Sequence, residues 1–120
     1  MADQDSPTAR DASTLSSVLA AAERDGFAGD FVVRSGARGA VIRCDACGTS
    51  SPAGRFERSW RWRLEGASDP DDMLDVSALH CPVCGAGGTL VTAFGSQMSA
   101  EEADASTALA RPTGEPPVAT

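Results

Sequence analysis

The sequence CDACG at residues 44–48 recurs as CPVCG at residues 81–85, and the two copies contain all four cysteines of the 120-residue chain. In each copy two residues separate the cysteines, a spacing that forms a tight turn and directs both sulfurs toward one point. The glycine after each pair allows a positive φ, so that nearby backbone amides can approach the thiolates. The pattern therefore predicts one tetrahedral metal site with four ligands, Cys44, Cys47, Cys81 and Cys84.

Two disulfide bonds or four free thiols are the alternative interpretation of these cysteines. Disulfide bonds require an oxidising compartment. Residues 1–13 are polar and acidic, without the basic start and apolar run of a signal peptide. No segment approaches the roughly 20 apolar residues that span a bilayer. We therefore expect a cytoplasmic protein with a metal site and without a membrane association.

The rest of the chain predicts one small α+β domain with polar tails. Few apolar residues occur in residues 1–13 and 111–120, and we expect both segments to be disordered. The domain is expected to cover residues 14–98 and to be followed by a C-terminal helix at residues 99–110. With only four Phe, two Trp and no Tyr, such a domain has a thin core that a metal site would stabilise.

Both helices have recognisable end signals. Apolar residues at i, i+3, i+4 and i+7 predict a helix over residues 14–25, which we expect to pack on the sheet; binding to a partner is the alternative. Gly26 follows as the left-handed residue, and Phe27 can then fold back on the last turn. Ser99 and Glu102 form a capping box for the C-terminal helix. The Ala-rich surface of that helix offers little apolar area for docking.

The strands are predicted to lead into and out of the cysteine pairs. A β-hairpin over residues 30–43 leads into the first pair, and residues 73–80 form a strand that leads into the second. Residues 89–94 form a closing strand. Between them, residues 55–64 alternate strictly. This alternation predicts one face made of Phe56, Arg58, Trp60, Trp62 and Leu64, and an opposite face made of Arg55, Glu57, Ser59, Arg61 and Arg63.

This order of elements resembles the zinc-ribbon family, within the rubredoxin-like group of folds, over roughly residues 42–94. The resemblance implies a small antiparallel sheet and a structural Zn²⁺ held by the four cysteines, with no open coordination position. The 33 residues between Cys47 and Cys81 exceed the compact spacings of such sites, and we expect them to form a longer strand pair. The segment RLEGASDPDDM, residues 63–73, also resembles small actinobacterial zinc-ribbon proteins. A rubredoxin-like electron carrier, with iron in the same four sulfurs, is the alternative.

The formal charge of −7 is unevenly distributed along the chain. Residues 31–64 carry a local charge of +5, whereas residues 65–94 carry −5 and contain no Lys or Arg. Arginine beside tryptophan in residues 55–64 makes this strand a candidate for nucleic-acid binding, because Arg contacts phosphate and Trp stacks on bases. We favour the alternative, in which the Trp side chains are core and the odd-numbered arginines pair across the sheet with the acidic strand.

Three aspartates, at positions 69, 71 and 72, lie at the tip of the predicted ribbon loop. Transcript-cleavage zinc ribbons carry an acidic pair at this place that helps bind a catalytic Mg²⁺ in RNA polymerase; a solvated turn is the alternative. His80, the only histidine, precedes Cys81 and should point away from the metal. The chain has no catalytic constellation that we recognise. We expect a monomeric, non-enzymatic zinc protein that acts as a protein-interaction or transcription-associated module. Its candidate partner or nucleic-acid surface comprises Arg55, Arg61, Arg63, Asp69, Asp71 and Asp72.

Overall fold

The computed structural model of the chain describes residues 15–64, 74–93, 98–109 and 111–114. These residues form an α+β fold with a six-stranded mixed sheet and two helices, which confirms the predicted fold class. The helices are α1 (Leu15–Arg24) and α2 (Ala100–Ala108). Neither is long and apolar enough to cross a membrane. The strands are β1 (Gly29–Gly36), β2 (Gly39–Cys44), β3 (Ser50–Pro52), β4 (Glu57–Leu64), β5 (Leu74–His80) and β6 (Gly87–Ala93).

The sheet is built from two similar antiparallel meanders. Its strand order is β3-β2-β1-β6-β5-β4, so that β1 to β3 form one meander and β4 to β6 the other. In each meander a C-x-x-C-G turn joins the second strand to the third. The meanders lie side by side in the same orientation, and their shared boundary is therefore a parallel pair, β1 with β6. This parallel pair differs from the antiparallel sheet expected from the sequence. Because β2 and β5 run in the same direction, the two cysteine turns lie at the same end of the strands.

Glycines permit the close contact between the two meanders. Gly29 of β1 is paired with Gly88 of β6, and a Cβ atom on Gly88 would lie 2.6 Å from the carbonyl oxygen of Gly29. Any side chain there would push the strands apart, since real Cβ atoms essentially never approach so closely. The pairing ends at Phe31 and Leu90, and the later residues of β1 and β6 are not paired with each other.

Helix α1 covers one face of the second meander, as expected for a core helix. Val18 and Ala22 are buried against Trp60 and Val76 in a cluster that also contains Phe27. The helix ends as its sequence predicts: Gly26 has a φ of 97°, and the amide of Phe27 donates to the carbonyl of Ala22 at 2.8 Å. This bond is the one that closes a Schellman motif. The partner-binding alternative for this helix is not supported by its burial.

Helix α2 packs on the opposite face, although its sequence made docking doubtful. Ala105 and Leu109 are buried in a second cluster with Phe31 and Ile42. Polar contacts add to this small apolar contact, because carboxylates of α2 accept hydrogen bonds from backbone amides of the sheet. Asp104 accepts from the amide of Ala40 at 2.7 Å, at a point on β2 beyond the end of β3. The capping box of Ser99 and Glu102 forms as predicted.

A β-bulge in β4 corrects the predicted alternation of residues 55–64. Arg58 pairs with Leu79 and Trp60 pairs with Ala78, so that Ser59 has no partner on β5. Because one extra residue reverses the facing of a strand, Phe56 and Arg58 lie on the α2 face, whereas Trp60, Trp62 and Leu64 lie on the α1 face. The prediction that Arg58 shares a face with the tryptophans is therefore wrong. The bulge keeps the Arg58 guanidinium out of the apolar cluster around Trp60.

The segment after α2 contacts the bulged edge of β4. The amides of Thr113 and Gly114 donate to the carbonyls of Arg58 and Ser59, at 3.0 and 2.8 Å. These two bonds place Thr113 and Gly114 beside the sheet, whereas the expected disorder of residues 111–120 as a whole stays a prediction. Residues 115–120 and 1–13 lie outside the described residues.

Candidate metal centre

The first cysteine turn is closed by two backbone hydrogen bonds. The amide of Gly48 donates to the carbonyl of Cys44 at 2.8 Å, and the amide of Cys44 donates to the carbonyl of Thr49 at 2.9 Å. Gly48 has a φ of 75°, in the left-handed region that favours glycine. The second turn repeats this geometry, with Gly85 (φ 78°) donating to Cys81 and Cys81 donating to Ala86, both at 2.9 Å.

The two turns bring all four sulfurs together, as predicted. The four Sγ atoms lie within 4.8 Å of one another. Two distances between the turns, Cys44 to Cys84 and Cys47 to Cys81, are both 3.8 Å. A tetrahedral zinc with Zn–S bonds of about 2.3 Å has sulfur–sulfur edges of about 3.8 Å. The arrangement therefore fits one tetrahedral metal ion, and it contains no disulfide bond.

The two cysteines of each turn differ in their exposure. Cys44 and Cys81 are buried, whereas Cys47 and Cys84 are exposed. The buried pair lies in the same apolar cluster as Ile42 and Leu79, so that half of the centre belongs to the core of the domain. The metal would thus join the cores of the two meanders on one side and face solvent on the other.

Hydrogen bonds to sulfur make the centre asymmetric. The hydroxyl of Thr49 lies 3.0 Å from the sulfur of Cys47, and this contact, the largest cause, lowers the pKa of Cys47 to about 6. Burial raises the pKa of Cys44 to about 11. In the second turn the amide of Val83 donates to the sulfur of Cys81 at 3.4 Å. Donors of this kind stabilise thiolate, the form in which cysteine binds a metal.

His80 is not part of this centre. It pairs with Gly87 at the end of β5, and its ring lies 5.0 Å from that of Phe27 on the α1 face. Among the described residues, the cluster of possible metal ligands consists of the four cysteines and does not include His80. This placement agrees with the expectation that His80 points away from the cysteines.

The residues of the predicted partner surface differ in their exposure and in their contacts. Arg55 is exposed beside β4, and Arg63 is exposed on β4. Arg61 forms an ion pair with Asp75 across the sheet, with Nη2 2.8 Å from Oδ2, as our preferred interpretation of the strand predicts. The three loop aspartates, at positions 69, 71 and 72, lie outside the described residues, and their role stays a prediction.

Two features of this region had not been predicted as part of a site. Thr49 supports Cys47 from the third position of the pattern C-G-T, and a hydroxyl two residues after a ligand cysteine is the signal that could have identified it. On β4 and β5, Arg58 and Asp75 are buried together with Ser77, and the Arg58 guanidinium lies 3.3 Å from the hydroxyl of Ser77. Desolvation, followed by the neighbouring charge of Arg61, lowers the pKa of Arg58. No sequence signal indicated this cluster, because the bulge creates it.

The comparisons with known proteins identify no relative of the chain. No family model, no curated protein and no solved structure matches the sequence. The fold and the geometry of the four cysteines therefore provide the basis for the functional proposal.

Proposed function

We propose that this chain is a non-enzymatic zinc-binding protein whose metal is structural and whose surface binds a protein partner. The observation on which the proposal rests is the arrangement of four sulfurs within 4.8 Å of one another, with two distances of 3.8 Å between the turns and two of the sulfurs in the core. Such a site resembles that of the zinc ribbons. Four protein ligands leave no coordination position for water or substrate, which separates structural from catalytic zinc.

The position of the site supports a structural role for the metal. Each turn lies within one meander. The meanders are joined by the short β1–β6 pairing from Gly29 to Phe31 and by a shared side-chain cluster in which Phe31 contacts Phe56. A metal ion across the turns would add a further link between them. Structural zinc sites contribute apparent binding energies of about 10–16 kcal/mol to folding, which is large compared with the stability of a small domain.

The described surface favours a protein partner over a nucleic acid. Trp60 is 2% exposed and cannot serve as a stacking platform. The guanidinium of Arg61 is held by Asp75, and the chain as a whole is acidic, with a net charge of −7. Nucleic-acid binding through Trp60 and Arg61 would require both side chains to leave their contacts. A transcription-associated role would therefore involve contact with a protein of the transcription machinery instead of direct contact with nucleic acid.

Metal analysis of the purified protein tests the proposal. We expect one zinc per chain, lost in Cys44→Ser but retained in Ala46→Ser, a matched control that adds a hydroxyl at an exposed non-ligand position of the same turn. Less than one tightly bound zinc in the native protein would contradict the proposal. One iron per chain, with a red colour that bleaches on reduction, would instead establish the rubredoxin-like alternative.

A further inference from the structure

The outer half of the four-cysteine centre is open to solvent. Cys47 and Cys84 are exposed, whereas Cys44 and Cys81 are buried in the core. Reagents dissolved in water therefore reach the two outer sulfurs first. Because cysteines that bind a metal are thiolates, both outer sulfurs are in the form that attacks oxidants. A site of oxidative modification is therefore expected at one of these two residues.

The surroundings of the two outer sulfurs differ in one side chain. The hydroxyl of Thr49 lies 3.0 Å from the sulfur of Cys47, and Ala86 occupies the corresponding position of the second turn. A hydroxyl that donates to a thiolate makes the sulfur less basic, and the nucleophilicity of a thiolate falls with its basicity. Cys84 has no hydroxyl at this position. Its sulfur should therefore react faster than the sulfur of Cys47.

The residues that flank Cys84 leave its surface open. Val83, the neighbour of Cys84 in the turn, is 61% exposed. A Cβ atom on Gly85 would meet none of the described residues within 4 Å, apart from its neighbours in the chain. On the corresponding Gly48 of the first turn, a Cβ atom would lie 3.7 Å from the guanidinium of Arg43. A small oxidant thus has the more open approach at the second turn.

A second thiolate lies close to Cys84. The sulfur of Cys44, in the first turn, is 3.8 Å from the sulfur of Cys84. Because Cys44 is buried, a dissolved oxidant does not reach it first, and it stays available as the attacking thiolate in a second step. The pair therefore combines an accessible sulfur with a protected one.

We propose that Cys84 is the site at which a hydroperoxide oxidises this protein, and that Cys44 completes the reaction by forming a disulfide bond with it. The Cys84 thiolate attacks the terminal oxygen of the peroxide, the O–O bond breaks, and the departing alkoxide or hydroxide takes a proton from solvent. Cys84 is then a sulfenic acid. The Cys44 thiolate attacks its sulfur, the S–O bond breaks, and the departing hydroxide takes a second proton. The two thiolates lose two electrons in total, and the peroxide is reduced to an alcohol, or to water, and one further water.

The reaction would remove two of the four metal ligands. Cys44 and Cys84 are no longer thiolates once they form a disulfide bond, and only Cys47 and Cys81 remain to bind the ion. We therefore expect oxidation to release the metal and to lower the stability of the domain. This inference goes beyond the proposed function and rests on the metal site proposed there.

Zinc release and peptide mapping test the proposal. The zinc-loaded protein is treated with hydrogen peroxide, released zinc is followed with a chromogenic chelator, and free thiols are then blocked. Trypsin cleaves at arginines between the two turns and so separates them into two peptides. We expect zinc release to coincide with a disulfide bond between these peptides, which tandem mass spectrometry locates at Cys44 and Cys84. A first oxidation product at Cys47, a disulfide bond within one turn, or zinc that stays bound after Cys84 is oxidised would overturn the proposal.

Substitutions at position 86 provide the matched variants. Ala86→Thr places beside Cys84 the side chain that Thr49 places beside Cys47, and zinc release by peroxide should slow by at least about threefold. Ala86→Val has the same shape without the hydroxyl and should release zinc at close to the native rate. Equal rates in the two variants would overturn the proposal.

Zinc content before treatment separates the two possible failures. A native protein that binds less than one zinc would contradict the metal site itself. A native protein that binds one zinc and retains it in the presence of peroxide would overturn this inference and leave the proposed metal site intact.

Discussion

The hydroxyl of Thr49 lies 3.0 Å from the sulfur of Cys47, whereas the corresponding position of the second turn is Ala86. The two turns are otherwise alike in their backbone hydrogen bonds, with distances that agree within 0.1 Å. The first turn therefore has a side-chain donor to sulfur that the second turn lacks. Such donors hold ligand cysteines as thiolates. We therefore expect the Thr49 hydroxyl to increase the metal affinity of the first turn.

Replacement of this hydroxyl should weaken zinc binding without changing the fold. Thr49→Val keeps the shape of the side chain and removes the donor, and we expect zinc affinity to fall by about tenfold, the lower end of the range for groups that support metal ligands. Competition with a chromogenic chelator measures the change. Thr49→Ser retains the hydroxyl and should keep most of the affinity. Equal losses in the two variants would show that the methyl group, and not the hydrogen bond, is important.

The ion pair of Arg61 and Asp75 should contribute strongly to stability. Asp75 is 2% exposed, and Arg61→Ala would leave its carboxylate buried without the guanidinium. We expect the free energy of unfolding to fall by about 2–3 kcal/mol, somewhat less than for a fully buried pair because the Arg61 side chain is 28% exposed. Urea unfolding measures the change. Arg55→Ala, at an exposed position, should alter stability by less than about 0.5 kcal/mol, and a similar small effect of Arg61→Ala would contradict the role of the pair.

The bulge at Ser59 should matter through the backbone group that it presents. Deletion of Ser59 makes Arg58 and Trp60 adjacent, so that both keep their faces, but it removes the carbonyl that accepts from the amide of Gly114 at 2.8 Å. We expect the deletion variant to keep a cooperative thermal transition and to melt several degrees below the parent, in line with a loss of about 1 kcal/mol. Ser59→Ala retains the extra residue and its carbonyl and should melt within a few degrees of the parent. A deletion variant without a cooperative transition would contradict this account of the bulge.

The contact of Asp104 with β2 should protect the amide of Ala40. Asp104→Ala removes the acceptor of a 2.7 Å hydrogen bond, and hydrogen exchange at Ala40 should accelerate by about fivefold, in line with a loss of about 1 kcal/mol. Glu23→Ala removes an exposed acid of α1 and serves as the control. Unchanged exchange at Ala40 in Asp104→Ala would indicate that α2 is held by Ala105 and Leu109 alone.

Local signals in the sequence predicted the parts of the structure that depend on neighbouring residues. The cysteine turns, the end of α1 at Gly26 and Phe27, and the capping box of Ser99 follow from short patterns with a direct physical cause. The fold class followed from the order of these elements. The same reasoning placed the four metal ligands in one cluster.

The parts that could not be predicted depend on contacts between distant residues. The bulge at Ser59 has no local signature, since its position is set by the register of β4 against β5 and not by the sequence of β4 itself. The docking of α2 depends on Asp104 reaching an amide of β2 64 positions away in the sequence. The parallel pairing of β1 with β6 depends on Gly29 meeting Gly88, and neither glycine indicates the other in the sequence.

The most direct test of a structural metal is the stability of the domain with and without it. Urea unfolding, followed by far-UV circular dichroism under reducing conditions, is compared for the zinc-loaded protein and for the same sample treated with a chelator. Removal of the metal should lower the free energy of unfolding by at least about 5 kcal/mol or abolish the folded baseline altogether, since structural zinc contributes about 10–16 kcal/mol. Coincident unfolding curves would contradict the proposal that a metal ion between the two cysteine turns holds the sheet together.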